Sequence, residues 1–231
     1  MSVQIVVSPD ARAAAEACGA DIFRSLETAR RARRKASLAI SGGTTPRIMF
    51  DWMAKQSFDW QDIDLFWVDE RCVPANDAQS NYRMTRESLL EPLELPAEQI
   101  HRVRTELPPA EAAAAYAEEI RAVLGDVPVF DVLQRGMGPD SHTASLFPGE
   151  PLIEDRTGIA AAVWVMKFGQ YRVTLLPGVL ERARKTLNLV TGADKREALR
   201  EILHGPVDYS ARPAMLSSPE MIWYLDSESA E

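Results

Sequence analysis

The stretch "GMGPDSHTASLFPG", from Gly136 to Gly149, places one of the chain's 3 histidines behind a glycine-rich turn, two residues after a carboxylate. An imidazole changes charge near neutral pH, so His142 is suited to take a proton from water, with Asp140 placed to orient the ring. The same residues also read as a turn in which Ser141 or Thr143 caps a short helix over "ASLF". Spacing alone leaves both readings open. The other two histidines have plainer roles. His101 lies in a strand-like stretch, and His204 ends a helical one, where a cation suits the helix dipole.

Two further stretches carry binding chemistry. In "SGGTTPR" (41–47), Gly42 and Gly43 permit positive φ and close backbone approach, Thr44 and Thr45 add hydroxyls, and a helix start follows. That combination suits a phosphate, though it also describes a tight turn with Thr45 as N-cap and Pro46 at the first helical position. It is neither a dinucleotide fingerprint nor a nucleotide-triphosphate loop. In "WVDERCVP" (67–74), three charged residues end an apolar run. Arg71 could grip a phosphate bidentately, and Asp69 could accept from sugar hydroxyls or orient a base; an internal ion pair is the alternative. Further on, "MKFGQYRVTLL" presents Lys167 and Arg172 around a bend, either as surface cations or as the remainder of a positive pocket.

These residues need a scaffold that brings distant loops together. Apolar runs at 3–7, 37–41, 64–69, about 99–103, 129–133, 158–166, 172–176, 186–191 and 221–225 read as strands. Helical patterns cover about 11–35 behind Asp10, then 46–56, 80–90, 109–124 and 193–203. Alternation of this kind predicts one Rossmann-like α/β domain, a mostly parallel sheet with helices on both faces. Ligands of such sheets bind beyond the carboxyl ends of the strands. The segments after 37–41, 64–69 and 129–133 are therefore where function is expected, and they are the three stretches above.

Bulk properties narrow the partners. The 231 residues carry a net charge of −8, which argues against nucleic acid and demands a locally basic site for any anionic ligand. The run Arg30 to Lys35 is expected to close the first helix rather than form that site. Two cysteines without metal-type spacing suit a reducing compartment, and no export signal or membrane span is visible, so a cytoplasmic protein is expected.

Taken together, SGGTTP, DERCVP with SNYRMTRESLL, GMGPDSHTASLFPG, K-x4-R-V-T-L and VTGADKREAL resemble, in order and spacing, the 6-phosphogluconolactonase family over about residues 3–226. That family belongs to a superfamily shared with glucosamine-6-phosphate deaminase/isomerase. The resemblance implies hydrolysis of 6-phospho-D-glucono-1,5-lactone to 6-phosphogluconate, a step of the oxidative pentose phosphate pathway, with no metal or organic cofactor. It implies His142 as catalytic base beside Asp140. It also implies that Gly42, Gly43, Thr44, Thr45, Arg71, Lys167 and Arg172 hold the phosphate and neighbouring oxygens, with Asp69 in the substrate site. The expected partner is a small phosphosugar lactone, bound by a monomer or at most a weak dimer. An amino-sugar-phosphate isomerase or deaminase, and a non-catalytic sugar-phosphate binder, are the alternatives. The isomerase branch looks like D-E-Y and H-I-A-F-N-E-P where this chain has Asp69-Glu70-Arg71 and His142-Thr143-Ala144-Ser145-Leu146-Phe147-Pro148.

Two departures from the family pattern carry expectations of their own. Ser141 stands where D-G-H is usual, at a position where glycine implies positive φ or close approach of a ligand. Gln134 and Arg135 stand where small apolar residues are usual, and are expected to redirect the loop or add a charge near His142.

Overall fold

Strand β3 (Ile63–Trp67) shows how the sequence divides itself between two layers. Ile63, Leu65 and Trp67 point into one apolar cluster, while Phe66 and the following Val68 point into another. The same period of two runs through β2 (Ala36–Ile40), with Leu38 and Ile40 on one side and Ala39 on the other. Strands with apolar residues on both faces must be covered on both faces, which is the signature of a buried parallel sheet.

The computed structural model describes residues 3–231 and shows that sheet. Seven strands lie in the order β1-β10-β9-β6-β2-β3-β5, all parallel. The remaining members are β1 (Val3–Ser8), β5 (Ile100–His101), β6 (Val132–Arg135), β9 (Lys185–Val190) and β10 (Glu220–Asp226). Helices α1 (Ala11–Arg33) and α2 (Thr44–Met53) cover one face. Helix α3 (Asn81–Thr85), a π-helical turn (Arg86–Leu90) and α4 (Glu91–Leu93) continue that cover. Helix α5 (Pro109–Leu124) covers the other face through Ala112, Ala113, Tyr116 and Ile120. The short α6 (Pro177–Arg182) packs there too, while α7 (Arg196–His204) and α8 (Ser227–Ala230) flank β10 and β1. This is a single α/β domain with helices on both faces. No helix among the described residues is long and apolar enough to cross a membrane.

The expected first helix starts where its cap predicts. Asp10 accepts from the Ala13 amide at 2.8 Å, and the basic run at its end is consumed by Arg30 on Asp59 and Gln61 and by Arg33 on Asp131.

Several expectations are corrected. The runs at 158–166 and 172–176 do not join the large sheet. As β7 (Ala160–Val165) and β8 (Gln170–Leu175) they form an antiparallel three-stranded sheet with β4 (Asp69–Arg71). The single strand expected at 64–69 is thus two strands in two sheets. The 129–133 run pairs only from Val132, and its polar end continues the strand because Gln134 and Arg135 find partners on β9 at Leu187 and Asn188. Helix α2 begins at Thr44 behind Gly43, whose φ of 125° lets the chain turn earlier than a Thr cap would. The short helix expected over "ASLF" is a tight turn, closed by a Thr143–Leu146 bridge with Ala144 at φ 52°.

His101 has the structural place expected of it. It stacks on Phe66 with centroids 4.4 Å apart, and its two ring nitrogens reach Glu119 (2.7 Å) and Asp64 (3.2 Å). Burial works against the imidazolium, but the two carboxylates outweigh it and the pKa is raised above the ordinary 6.5. A folded pKa above the unfolded one adds stability that is complete below pH 6.5 and fades as pH rises through the folded value. The gap in melting temperature between the wild type and His101→Gln should therefore narrow steadily from acidic to mildly alkaline pH. Thermal denaturation across that range checks this, and a gap that widens with pH would contradict it.

Candidate active site

The carboxyl ends of β2, β6 and β9 open into a cleft of about 380 Å³. Its lining joins Gly42, Gly43, Thr44 and Thr45, then Asp69 and Arg71, then Gly138 and His142, then Arg172. Thr191 and Lys195, beyond the end of β9, complete it. A larger groove of about 730 Å³ runs along β1 and α7, but its lining mixes aliphatic side chains with Arg196, Glu197, Arg200 and Glu231 and holds none of these groups. Chemistry, not size, singles out the smaller cleft.

The histidine is built into its loop by a glycine. A Cβ on Gly138 would stand 2.0 Å from His142 Nδ1 and 2.7 Å from Asp140 Oδ1, so only glycine leaves room for this pair. Asp140 Oδ1 accepts from His142 Nδ1 at 2.5 Å, and Lys167 Nζ lies 2.9 Å from Oδ2. Burial opposes ionisation of Asp140, yet these two donors together pull its pKa down to about 2. The ionised carboxylate holds the proton of His142 on Nδ1, leaving Nε2 as the basic nitrogen. Burial also lowers the pKa of His142, against the pull of Asp140 and Asp69 and with a contribution from Arg172. The imidazole is thereby neutral at neutral pH. Phe147 lies flat on the ring, centroids 4.1 Å apart, and fixes it from the side.

Ser141 adopts φ 65°, the left-handed backbone that is one of the two meanings of a glycine at this point of the pattern. Its amide donates to Gly138 O and its carbonyl accepts from Ala214 N, both at 3.0 Å, so the turn is held despite the missing glycine. The neighbouring departures have a different outcome from the one expected. Arg135 adds no charge to the cleft lining. It is buried, with Nε on Asn188 Oδ1 (2.8 Å) and Nη2 on the carbonyls of Leu216 and Ala214. Burial lowers its pKa to about 10. Gln134 accepts from the Ser41 amide at 3.1 Å and so ties β6 to the start of the glycine loop.

The Asp-Glu-Arg run divides its labour. Glu70 is 1% exposed and accepts from the amides of Arg71 (2.7 Å), Asn81 (2.8 Å) and Tyr82 (2.6 Å) and from Ser80 Oγ (3.1 Å). Burial still raises its pKa despite these amides. It fastens β4 to the start of α3, where an anion meets free amides. Asn81 in turn donates to Asp69 O at 2.9 Å and packs so closely on Gly42 that a Cβ there would lie 1.8 Å from Asn81 Oδ1. Asp69 accepts from Ser145 Oγ at 2.7 Å. No local signal in the sequence marks Glu70 or Asn81 as the joint between the loops.

Arg71 and Arg172 are partners in register across β4 and β8. Arg71 gives one Nη to Gln79 O at 2.6 Å, while Arg172 lies over the rings of Phe168 (4.7 Å) and Phe147 (5.9 Å). The Nε atoms of both are buried without a partner, and neither guanidinium meets a carboxylate at ion-pair distance among the described residues. Burial and the charge of Arg71 contribute to lowering the pKa of Arg172.

Thr45 does not cap its helix; its hydroxyl meets that of Thr191 at 2.6 Å and joins the glycine loop to the end of β9. Lys195, within "VTGADKREAL", also lines the cleft; a lysine before a helix gives no local signal of this, and only the sheet order, with β9 one strand from β2 across β6, brings it there. Lys167, expected at the substrate, is not in the lining and rests on Asp140. Among the described residues no group of three or more His, Cys, Asp or Glu side chains is placed to hold a metal ion.

A family model described as glucosamine-6-phosphate isomerases/6-phosphogluconolactonase matches residues 9–223. A 6-phosphogluconolactonase of Treponema pallidum is 42% identical over 175 residues, 73% of each chain. One from Synechocystis is 36% identical over 206 residues, 86% of this chain and 85% of its own. The crystal structure of the 6-phosphogluconolactonase of Thermotoga maritima superposes with a TM-score of 0.87 at 29% identity, covering 98% of this chain and 100% of that one.

The left-handed φ of Ser141 has a measurable consequence. A non-glycine residue there costs about 1–2 kcal/mol, part of which is returned by the stiffer unfolded chain. Ser141→Gly should leave the unfolding free energy unchanged or raise it by up to about 1 kcal/mol in denaturant titration. A clear loss would show that the hydroxyl makes a contact worth more than the strain.

Proposed function

From the premise that this chain belongs to the glucosamine-6-phosphate isomerase/6-phosphogluconolactonase family, we propose that it hydrolyses 6-phospho-D-glucono-1,5-lactone to 6-phosphogluconate. The observation that carries this reading is the pairing of two guanidiniums, outside any ion pair among the described residues, with a neutral, carboxylate-held histidine in one cleft. Like charges at facing positions of two paired strands repel one another. An anion between Arg71 and Arg172 turns that repulsion into attraction. A phosphate supplies the charge and the oxygens that two forks and the amides of the Gly42–Thr45 loop can meet. Lys195, ion-paired with Asp194, lies on the same side as Thr191.

The chemistry then needs one activated water. Nε2 of His142 takes a proton from water as its oxygen bonds to the lactone carbonyl carbon. In the tetrahedral intermediate the former carbonyl oxygen carries the negative charge, which backbone N–H groups of the loops or Arg71 stabilise. Collapse restores the carbonyl and breaks the bond to the ring oxygen, which receives the proton from His142. Asp140 keeps the imidazole in one tautomer throughout, and Asp69 is the acceptor for a sugar hydroxyl. The clamped phosphate fixes the lactone relative to His142, which replaces rotational searching by binding. No covalent intermediate is required.

His142→Ala should lower turnover by about 10²–10⁴-fold while 6-phosphogluconate binds within a few-fold of the wild type. Lactone hydrolysis measured above the spontaneous rate, with calorimetry for the product, checks this. Retained turnover removes His142 as base, and product binding by a wild type that gives no rate enhancement would favour the non-catalytic reading. The acid limb of kcat/KM should lie below pH 6.5, because the pKa of His142 is lowered, with activity falling as pH drops through it.

Removing one guanidinium should act on binding. Arg172→Met should raise KM by about tenfold or more, with a smaller change in kcat. Equal loss in kcat and kcat/KM would instead place Arg172 at the reacting carbonyl.

A further inference from the structure

The turn between β7 and β8 reaches the catalytic pair twice, at Asp140 directly and at His142 through Phe147. Lys167 puts Nζ 2.9 Å from Asp140 Oδ2, while the other oxygen of that carboxylate receives His142 Nδ1 at 2.5 Å. The next residue, Phe168, meets Phe147 edge-on at 6.1 Å, and Phe147 is the ring that lies on His142. Phe168 also carries the Arg172 guanidinium on its face. The turn itself closes through Gly169 at φ 58°.

We propose that Lys167 is a positioning residue for the Asp140–His142 pair, acting through the Asp140 carboxylate, and not a ligand of the substrate phosphate. A carboxylate held by one donor can swing about its last torsion and carry the imidazole with it. Donors on both oxygens fix its plane, and with it the direction of the Nδ1 bond and of the opposite nitrogen, Nε2. The cleft lining omits Lys167 and includes Arg71 and Arg172, which meet no carboxylate at ion-pair distance among the described residues, so the phosphate has other cations and Asp140 has this one. The side chain of Lys167 is 53% exposed, which makes its ion pair a weak contributor to stability. Its value lies in geometry, as an anchor on Oδ2 of a carboxylate whose other oxygen alone meets His142, through the ring and the backbone amide. The kinetic consequence rests on the lactonase reading above; the geometric one does not.

Lys167→Met and Lys167→Arg test it. The first readout needs no substrate: the downfield proton resonance of the His142 Nδ1–H group, assigned by its loss in Asp140→Asn. It should be sharp in the wild type, broadened by solvent exchange in Lys167→Met and restored in Lys167→Arg. Melting temperature should barely change. With the lactone, Lys167→Met should lower kcat by about tenfold and leave KM within about twofold, and Lys167→Arg should recover most of the loss. The double variant Asp140→Asn with Lys167→Met should be no slower than Asp140→Asn alone, since both act through one carboxylate. An Nδ1–H signal unchanged by Lys167→Met, or absent from the wild type, overturns the proposal whatever the kinetics. So does a KM raised by tenfold or more with kcat retained, the mark of a phosphate ligand. If the wild type fails to hydrolyse the lactone, the proposed reaction falls, and the resonance comparison still decides the role of Lys167.

Discussion

Val68 donates its backbone N–H to Ile40 O in the large sheet (2.8 Å) and offers its carbonyl to Leu175 N of the small one (2.9 Å). That single residue is where the chain leaves the parallel sheet and enters the antiparallel one. Its side chain is buried on the α5 side, so the crossing is fixed by packing as well as by hydrogen bonds. Everything at the site depends on the change of direction. It sends Asp69, Glu70 and Arg71 along β8, brings Arg71 opposite Arg172, and leaves β2 and β6 free to deliver the glycine loop and the histidine loop to the same edge.

The loops are joined to one another by buried polar groups rather than by apolar packing. Glu70 gathers three amides and a hydroxyl; Asn81 spans from Asp69 to the face of Gly42; Gln134 holds the Ser41 amide; Arg135 draws in residues 214 and 216, and Ala214 in turn holds Ser141. A buried polar group costs several kcal/mol unless it is satisfied, so each of these groups has few acceptable positions. That is a more exacting constraint than an aliphatic contact, which tolerates small shifts. It suits loops whose backbone must present amides and an imidazole at fixed places.

The charge distribution also separates global from local. A chain of net charge −8 assembles a cleft containing Arg71, Arg172 and Lys195, with Lys167 nearby on Asp140. Of the acidic residues in the same region, Glu70 is engaged on amides, Asp69 on Ser145 and Asp140 on His142 and Lys167, while Asp194 pairs with Lys195. Field at a site follows from which charges face it, not from the sum over the chain.

The sequence by itself determined the alternation of strands and helices, the two-sided cover of the sheet, the three strand-end loops and the histidine between its glycines. These follow from local rules: period-two apolar patterning, cap residues and positions that only glycine fills. At Ser141 the family pattern leaves open either a left-handed backbone or close approach of a ligand, and the fold shows the first, at φ 65°. Only the tertiary structure decided which strands share a sheet. Nothing local distinguishes "GIAAAVWVM" from "TLNLVT", yet one pairs antiparallel in the small sheet and the other parallel in the large one, because pairing depends on which edges are already occupied. It likewise decided the direction of long polar side chains. Arg135 turns into the protein and Lys167 turns to Asp140, because the partners of each, at 188, 214 and 216 or at 140, are distant in sequence and become neighbours only when the chain has folded.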